Sequence, residues 1–180
     1  MIYFGTDGIR GIVGKDLTCD LAFKCGLALT KIKEKPKILI AEDTRPSNNL
    51  VLFSFVSGVI SNGGIVEDVG IAPTSLVSCL LTKMDFDFGV VISASHNPSE
   101  YNGIKIFNYK GEKINESVEA EIESYIINAN LGGNFCLGEY RKNENLQKKY
   151  VEHILSCINT RLNGLKVVLD LANGASFRLA

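Results

Sequence analysis

The sequence has no excess of charge, no cysteine pair at metal or redox spacing, and no apolar run long enough to cross a bilayer. Its 19 Lys and Arg stand against 20 Asp and Glu. That balance excludes a nucleic-acid surface working by bulk attraction, although it leaves room for a local basic patch. The most apolar stretch, Leu50 to Ile60, is interrupted by Ser54, Ser57 and Gly58, and a spanning helix needs roughly 20 apolar residues. The first residues turn polar at Thr6 with no basic segment ahead of an apolar one, so they do not read as an export signal. Cys19, Cys25, Cys79, Cys136 and Cys157 are scattered without a CxxC. Cys25, Cys79 and Cys157 fall in apolar helical patterns, where a thiol acts as a small hydrophobe. The expectation is a reduced, cytoplasmic protein without zinc and with neither nucleic acid nor membrane as partner.

What is present is apolar material. Hydrophobic residues make up 46% and charged residues 22%, enough for a substantial core and too much for wholesale disorder. The 180 residues accommodate one domain, or one domain and the opening of another.

Short apolar runs alternate with amphipathic segments. Lys37–Ala41, Ile65–Ile71, Phe88–Ser93 and Lys166–Leu171 read as strands. Helices are expected over Thr18–Lys33 with Thr18 as N-cap, over Ser47–Asn62, and over Thr74–Lys83 after Pro73. A further strand is expected over Ile104–Tyr109, returning antiparallel after a tight turn at Tyr101-Asn102-Gly103. Asn115–Asn128 reads as a helix whose start coincides with the sequon Asn115-Glu116-Ser117. The LGGNF run, Leu131–Phe135, breaks the pattern. The alternation predicts an α/β fold with a mixed, largely parallel sheet and helices on both faces. A boundary is placed at residue 143, so that residues 144–180 form the incomplete start of a second α/β domain: one helix over Leu146–Ile158 and one strand. So small a piece has no core of its own.

Three motifs sit where strands end, the usual location of ligand sites in open α/β sheets. The first is Ile92-Ser93-Ala94-Ser95-His96-Asn97-Pro98. Ser95 is the natural nucleophile or phosphate carrier, with His96 and the more distant Lys105 available for proton handling or charge. The second, Gly5-Thr6-Asp7-Gly8-Ile9-Arg10-Gly11, surrounds an Asp and an Arg with glycines, and Arg10 suits a phosphate through its fork of donors. It is neither a P-loop nor a dinucleotide fingerprint. The third is Glu42-Asp43-Thr44-Arg45-Pro46-Ser47, where Ser47 can cap the next helix beside an anion. Each has an ordinary reading as turn and cap residues. Their shared placement at one sheet edge is what sets them apart.

In order, FGTDGIRG, EDTRPS, ISASHNP, NGIKIF and VVLDLANGA resemble the first part of the α-D-phosphohexomutases, from residue 4 to residue 177. The resemblance implies that Ser95 is phosphorylated in the active state and passes its phosphoryl group to a sugar phosphate through a bisphosphate intermediate. It implies Arg10, Lys105 and His96 as catalytic neighbours, with Thr6, Asp7, Arg45 and Asn97 arranged about the phosphate and its loop. It also implies Mg²⁺ bound through the Ser95 phosphate, with its remaining ligands beyond residue 180. The substrate class implied is a phosphorylated hexosamine, glucosamine 6-phosphate passing to glucosamine 1-phosphate. A family member acting on mannose or glucose phosphates, or a non-catalytic phosphosugar-binding module, are the alternatives. The expected metal and sugar loops are absent from this sequence, so it reads as an N-terminal fragment without turnover of its own. Its unpaired second-domain strand is a route to self-association.

Overall fold

The computed structural model describes residues 2–129, 136–160 and 163–180; the expected break over Leu131–Phe135 lies outside them. A seven-stranded sheet is ordered β1-β2-β6-β5-β3-β4-β7. Its strands are β1 (Phe4–Gly5), β2 (Gly8–Ile12), β3 (Lys37–Glu42), β4 (Ile65–Ile71), β5 (Phe88–Ile92), β6 (Tyr101–Asn108) and β7 (Glu139–Lys142). The half β5-β3-β4-β7 is parallel, and β1, β2 and β6 join it antiparallel. Within the parallel half, β3 and β5 coincide with continuous apolar runs, as expected for strands covered on both faces.

Alternation along β3 divides the core. Ile38 and Ile40 point into one apolar cluster, Leu39 and Ala41 into the other. The first cluster is covered by α1 (Cys19–Ile32), α2 (Asn48–Ile60) and α4 (Glu116–Ile127). The second lies under α3 (Thr74–Leu81) and the first two turns of α5 (Asn145–Ser156), through Leu146 and Tyr150. Helices thus cover both faces. Thr18 accepts the Leu21 N–H at 3.1 Å, and Asn115 accepts the Val118 N–H at 3.0 Å. Both expected caps form, and the sequon is a helix start. Pro73, rather than Thr74 or Ser75, occupies the N-cap position of α3.

Helices α1 and α2 touch backbone to backbone. A Cβ on Gly26 would lie 2.1 Å from the Phe55 carbonyl oxygen, and one on Gly58 2.0 Å from that of Phe23. The two glycines therefore set the spacing of this helix pair.

Four features depart from the sequence reading. The glycine-rich opening forms a hairpin, β1-β2, because Phe4 and Ile9 have a core to enter. Strand β7 forms from the polar run Glu139–Lys142, held by its backbone pairing with β4 and by Tyr140. Residues 166–171 form no strand: among the described residues none pairs with them, and Val167 and Val168 stand exposed. Cys157 caps the end of α5 and is exposed rather than packed. The segment after residue 143 also contacts the main unit. The Gln147 amide donates to the carbonyls of Val69 and Ile71, and Thr44 donates to that of Asn173.

Candidate functional site

Strand order reverses around β3 and β5. From β3 the chain proceeds through α2 to β4 on one side, while β5 leads to β6 on the other. The loops leaving these two neighbouring strands meet at their carboxyl ends, the position at which open α/β sheets bind ligands. One loop carries Asp43 and Arg45; the other carries Ser93 to Asn97.

Ser95 is exposed and has φ +59°, a left-handed conformation that costs a residue bearing a Cβ and persists only where its surroundings impose it. Here they do. The Ser95 N–H donates to Ser93 Oγ at 2.9 Å, and Ser93 Oγ donates to Asp43 Oδ2 at 2.6 Å. The side chain is left facing outward, with Oγ 3.5 Å from His96 Nδ1. Both Ser95 and His96 are exposed.

Arg45 is 9% exposed in its side chain, and each of its N–H groups has a partner. Nε donates to Asp43 Oδ2 at 3.0 Å. Nη1 donates to the carbonyls of Pro98 at 2.6 Å and Tyr101 at 2.9 Å, and Nη2 to those of Ser95 at 2.9 Å and Asn97 at 2.7 Å. A guanidinium has five donors, and all are taken by the protein. Arg45 therefore holds the loop and has no donor left for a phosphate, which corrects the expectation of phosphate binding there.

Arg10, on β2, is paired in register with Gly103 on β6. A Cβ at Gly103 would lie 2.7 Å from the Ser93 carbonyl oxygen and 3.1 Å from Arg10 Cγ, so the missing side chain lets Arg10 lie close to the loop. Arg10 Nη1 reaches Asn97 Oδ1 at 3.5 Å, Nη2 pairs with Asp7, and Nε is buried without a partner. Lys105, on β6, pairs with Asp7 Oδ2 at 2.7 Å. Burial alone would raise the Asp7 pKa, but the hydrogen bond and charge of Lys105, together with those of Arg10, hold it below the usual carboxylate value. As an anion between two cations, Asp7 is their counter-charge rather than a phosphate ligand. Thr6 is exposed beside it, and its carbonyl accepts from Lys113 Nζ at 2.8 Å.

The structure thus links Asn97, in the loop of Ser95 and His96, to Arg10, and Arg10 through Asp7 to Lys105, and turns Arg45 to the support of the loop. Sequence reasoning missed Asp43, read only as a turn residue, Ser93, read only as the end of a strand, and Asn102. The Asn102-Gly103 pair signals a turn, yet it lies within β6. Asn102 is fully buried; its amide donates to Ser47 Oγ at 3.0 Å and Asn48 Oδ1 at 2.8 Å, and its carbonyl oxygen accepts the Gly103 N–H. Ser47 consequently makes no side-chain cap on α2. The only available signal was the concentration of small polar residues just after apolar strands.

The profile of the family described as "Phosphoglucomutase/phosphomannomutase, alpha/beta/alpha domain I" matches residues 1–131. Phosphoglucosamine mutase of Clostridioides difficile strain 630 is 45% identical, over 99% of this chain and 42% of its own length. The protein of the same name from Clostridium kluyveri strain ATCC 8527 is 47% identical, over 97% and 41%. Among solved structures, a phosphoglucomutase/phosphomannomutase family protein from Burkholderia thailandensis superposes with a TM-score of 0.77 at 27% identity, covering 89% of this chain and 36% of that one. The chain belongs to the phosphoglucomutase/phosphomannomutase family, corresponds to its N-terminal portion, and spans about two fifths of the length of these curated relatives.

Proposed function

We propose that this chain is the phosphoserine-bearing part of a phosphosugar mutase that interconverts glucosamine 6-phosphate and glucosamine 1-phosphate. The observation that carries this reading is Ser95: an exposed hydroxyl on a left-handed residue at the switch point, in a loop whose Asn97 is reached by Arg10. The names of the relatives supply the sugar class.

Phosphoryl transfer depends on in-line placement and neutralisation of charge. The bond between Ser95 Oγ and phosphorus breaks as one forms to a sugar hydroxyl oxygen, whose proton leaves. The bisphosphorylated sugar then returns its other phosphoryl group to the protonated Ser95 oxygen, which loses that proton in turn. Arg10 and Lys105 provide the positive charge, and His96, Lys105 and Arg10 are the candidates for the proton movements. Asn97 holds Arg10 toward the loop. Mg²⁺ would neutralise phosphate charge. The described residues do not make a cage for it, since Asp7 and Asp43 are committed to other partners and no group of three ligating side chains is placed to hold a metal. At most, an oxygen of phosphorylated Ser95 would contribute, and no step is assigned to the ion.

A cytoplasmic location and a second unit opening after residue 143 belong to this reading. The unpaired segment 165–171 supports the second, and its exposed Val167, Val168 and Leu169 are the surface through which copies would associate. Among the described residues no helix is long and apolar enough to cross a membrane.

The test uses the full-length gene product. Ser95→Ala is expected to abolish mutase turnover with the melting temperature unchanged, and phosphate should map to Ser95 in the active wild type by mass spectrometry. Normal turnover in Ser95→Ala refutes the reading. Parallel assays with mannose 6-phosphate and glucose 6-phosphate decide the sugar.

A further inference from the structure

Asp43 lies 52 residues before Ser95 in the sequence, yet it holds the Ser95 loop by two separate arms. The first runs from Asp43 Oδ2 to Ser93 Oγ at 2.6 Å and on to the Ser95 N–H at 2.9 Å. The second runs through Arg45, fixed to Asp43 at Nε, whose remaining donors take the carbonyls of Ser95, Asn97, Pro98 and Tyr101. Asp43 is itself fixed: Oδ1 accepts from the Arg45 backbone N–H at 3.0 Å and from the Asn48 amide at 3.1 Å. Asn48 in turn accepts from buried Asn102 on β6. The carboxylate therefore ties three elements together: the β3–α2 loop, the β5–β6 loop and β6.

We infer that Asp43, acting through Ser93 and Arg45, is the positioning residue that keeps Ser95 in its left-handed, outward-facing conformation for phosphoryl transfer. The inference rests on the mutase reading above. Its physical basis is that one arm fixes the amide of Ser95 and the other fixes its carbonyl. With both ends of the residue held, φ cannot relax toward the extended region, and Oγ keeps one direction. Such preorganisation affects the rate of transfer and leaves the binding of the sugar phosphate alone, because no atom of Asp43 or Ser93 and no donor of Arg45 is free to reach a ligand.

The experiment measures two quantities on the dephosphorylated full-length protein: the rate at which a hexose 1,6-bisphosphate phosphorylates Ser95, followed by intact mass, and the steady-state kcat and KM for the sugar phosphate. Asp43→Asn keeps the shape but cannot accept as an anion from both Ser93 and Arg45. It is expected to slow phosphorylation and kcat at least tenfold with KM within about twofold of wild type. Ser93→Ala removes one arm and should slow both less, about threefold to tenfold, whereas Ser93→Thr, which restores the hydroxyl, should recover most of that loss. If Asp43→Asn does not fold, the Ser93 pair carries the test. A wild-type phosphorylation rate in Asp43→Asn or Ser93→Ala overturns the inference, as does a KM that rises in step with the loss of kcat. A wild type that takes no phosphate at Ser95 overturns the mutase reading and this inference with it. A phosphorylated wild type beside an unimpaired variant overturns this inference alone.

Discussion

Lys105 Nζ lies 2.7 Å from Asp7 Oδ2, and the lysine side chain is only 12% exposed while the aspartate is 48% exposed. The cation is thus held from inside the protein, and its counter-anion stands half in solvent. Arg10 shares the same carboxylate. On the proposed mutase reading, a phosphoryl group entering here would compete with Asp7 for both cations.

That competition has a measurable consequence. Asp7→Asn removes the competing charge, and inorganic phosphate should bind the dephosphorylated protein about two- to fivefold more tightly, the range of a partly exposed ion pair. Calorimetric titration at low ionic strength reads the difference, which should shrink as salt is added.

Glu42 ends β3 with Oε2 buried and without a partner. Burial raises its pKa above the ordinary 4.5, and Asp68 and Asp43 add to the rise against the opposing pull of Lys142. For a carboxyl raised in the folded state, the folded protein binds the proton more readily. Stability from this group is present below pH 4.5 and lost as pH rises through the folded value. Glu42→Gln should therefore raise the melting temperature by about 1–3 °C at pH 7, with the gain vanishing toward pH 4. An equal gain at both pH values would show that charge is not the cause.

Glu123, on α4, behaves in the opposite sense. Its carboxylate accepts the backbone N–H groups of Ile2 at 2.9 Å, Tyr3 at 2.7 Å and Phe4 at 2.9 Å. Burial works to raise its pKa, but these amides bring the net value below 4.5. Its contribution is present above pH 4.5 and is lost as pH falls through the still lower folded value. Glu123→Gln is expected to cost about 1–2 kcal/mol at pH 7. The deficit should narrow as acid protonates the wild-type side chain, and amide exchange in β1 should quicken.

Gly58→Ala places a methyl group where the Phe23 carbonyl oxygen already sits. Helices α1 and α2 must separate, at a cost of about 1–3 kcal/mol, read by urea denaturation. Ser57→Ala, one residue earlier and exposed, should stay within about 0.5 kcal/mol of wild type.

Much of this was legible in the sequence because the signals are local. Apolar runs such as Lys37–Ala41 become buried strands wherever helices cover both faces, and Thr18 and Asn115 cap helices through bonds to residues only three positions away. The site was legible in part. Ser95 was singled out by its place at a strand end, Arg10 by its glycine-rich surroundings, and Lys105 by the resemblance its motif carries. Support of the loop by Arg45 was expected beside phosphate binding, but its partners were not legible, because they lie about 50 residues away, on the far side of α2, β4, α3 and β5.

The sequence by itself determined the α/β alternation, the helix starts and the serine at the end of β5, since each depends on side chains within a few residues of one another. Only the tertiary structure decided that Asn102-Gly103 runs straight through a strand, that Glu139–Lys142 pairs at the sheet edge, and that 166–171 does not pair. Pairing and burial depend on which neighbour is present to accept a backbone hydrogen bond, and no stretch of chain carries that information alone.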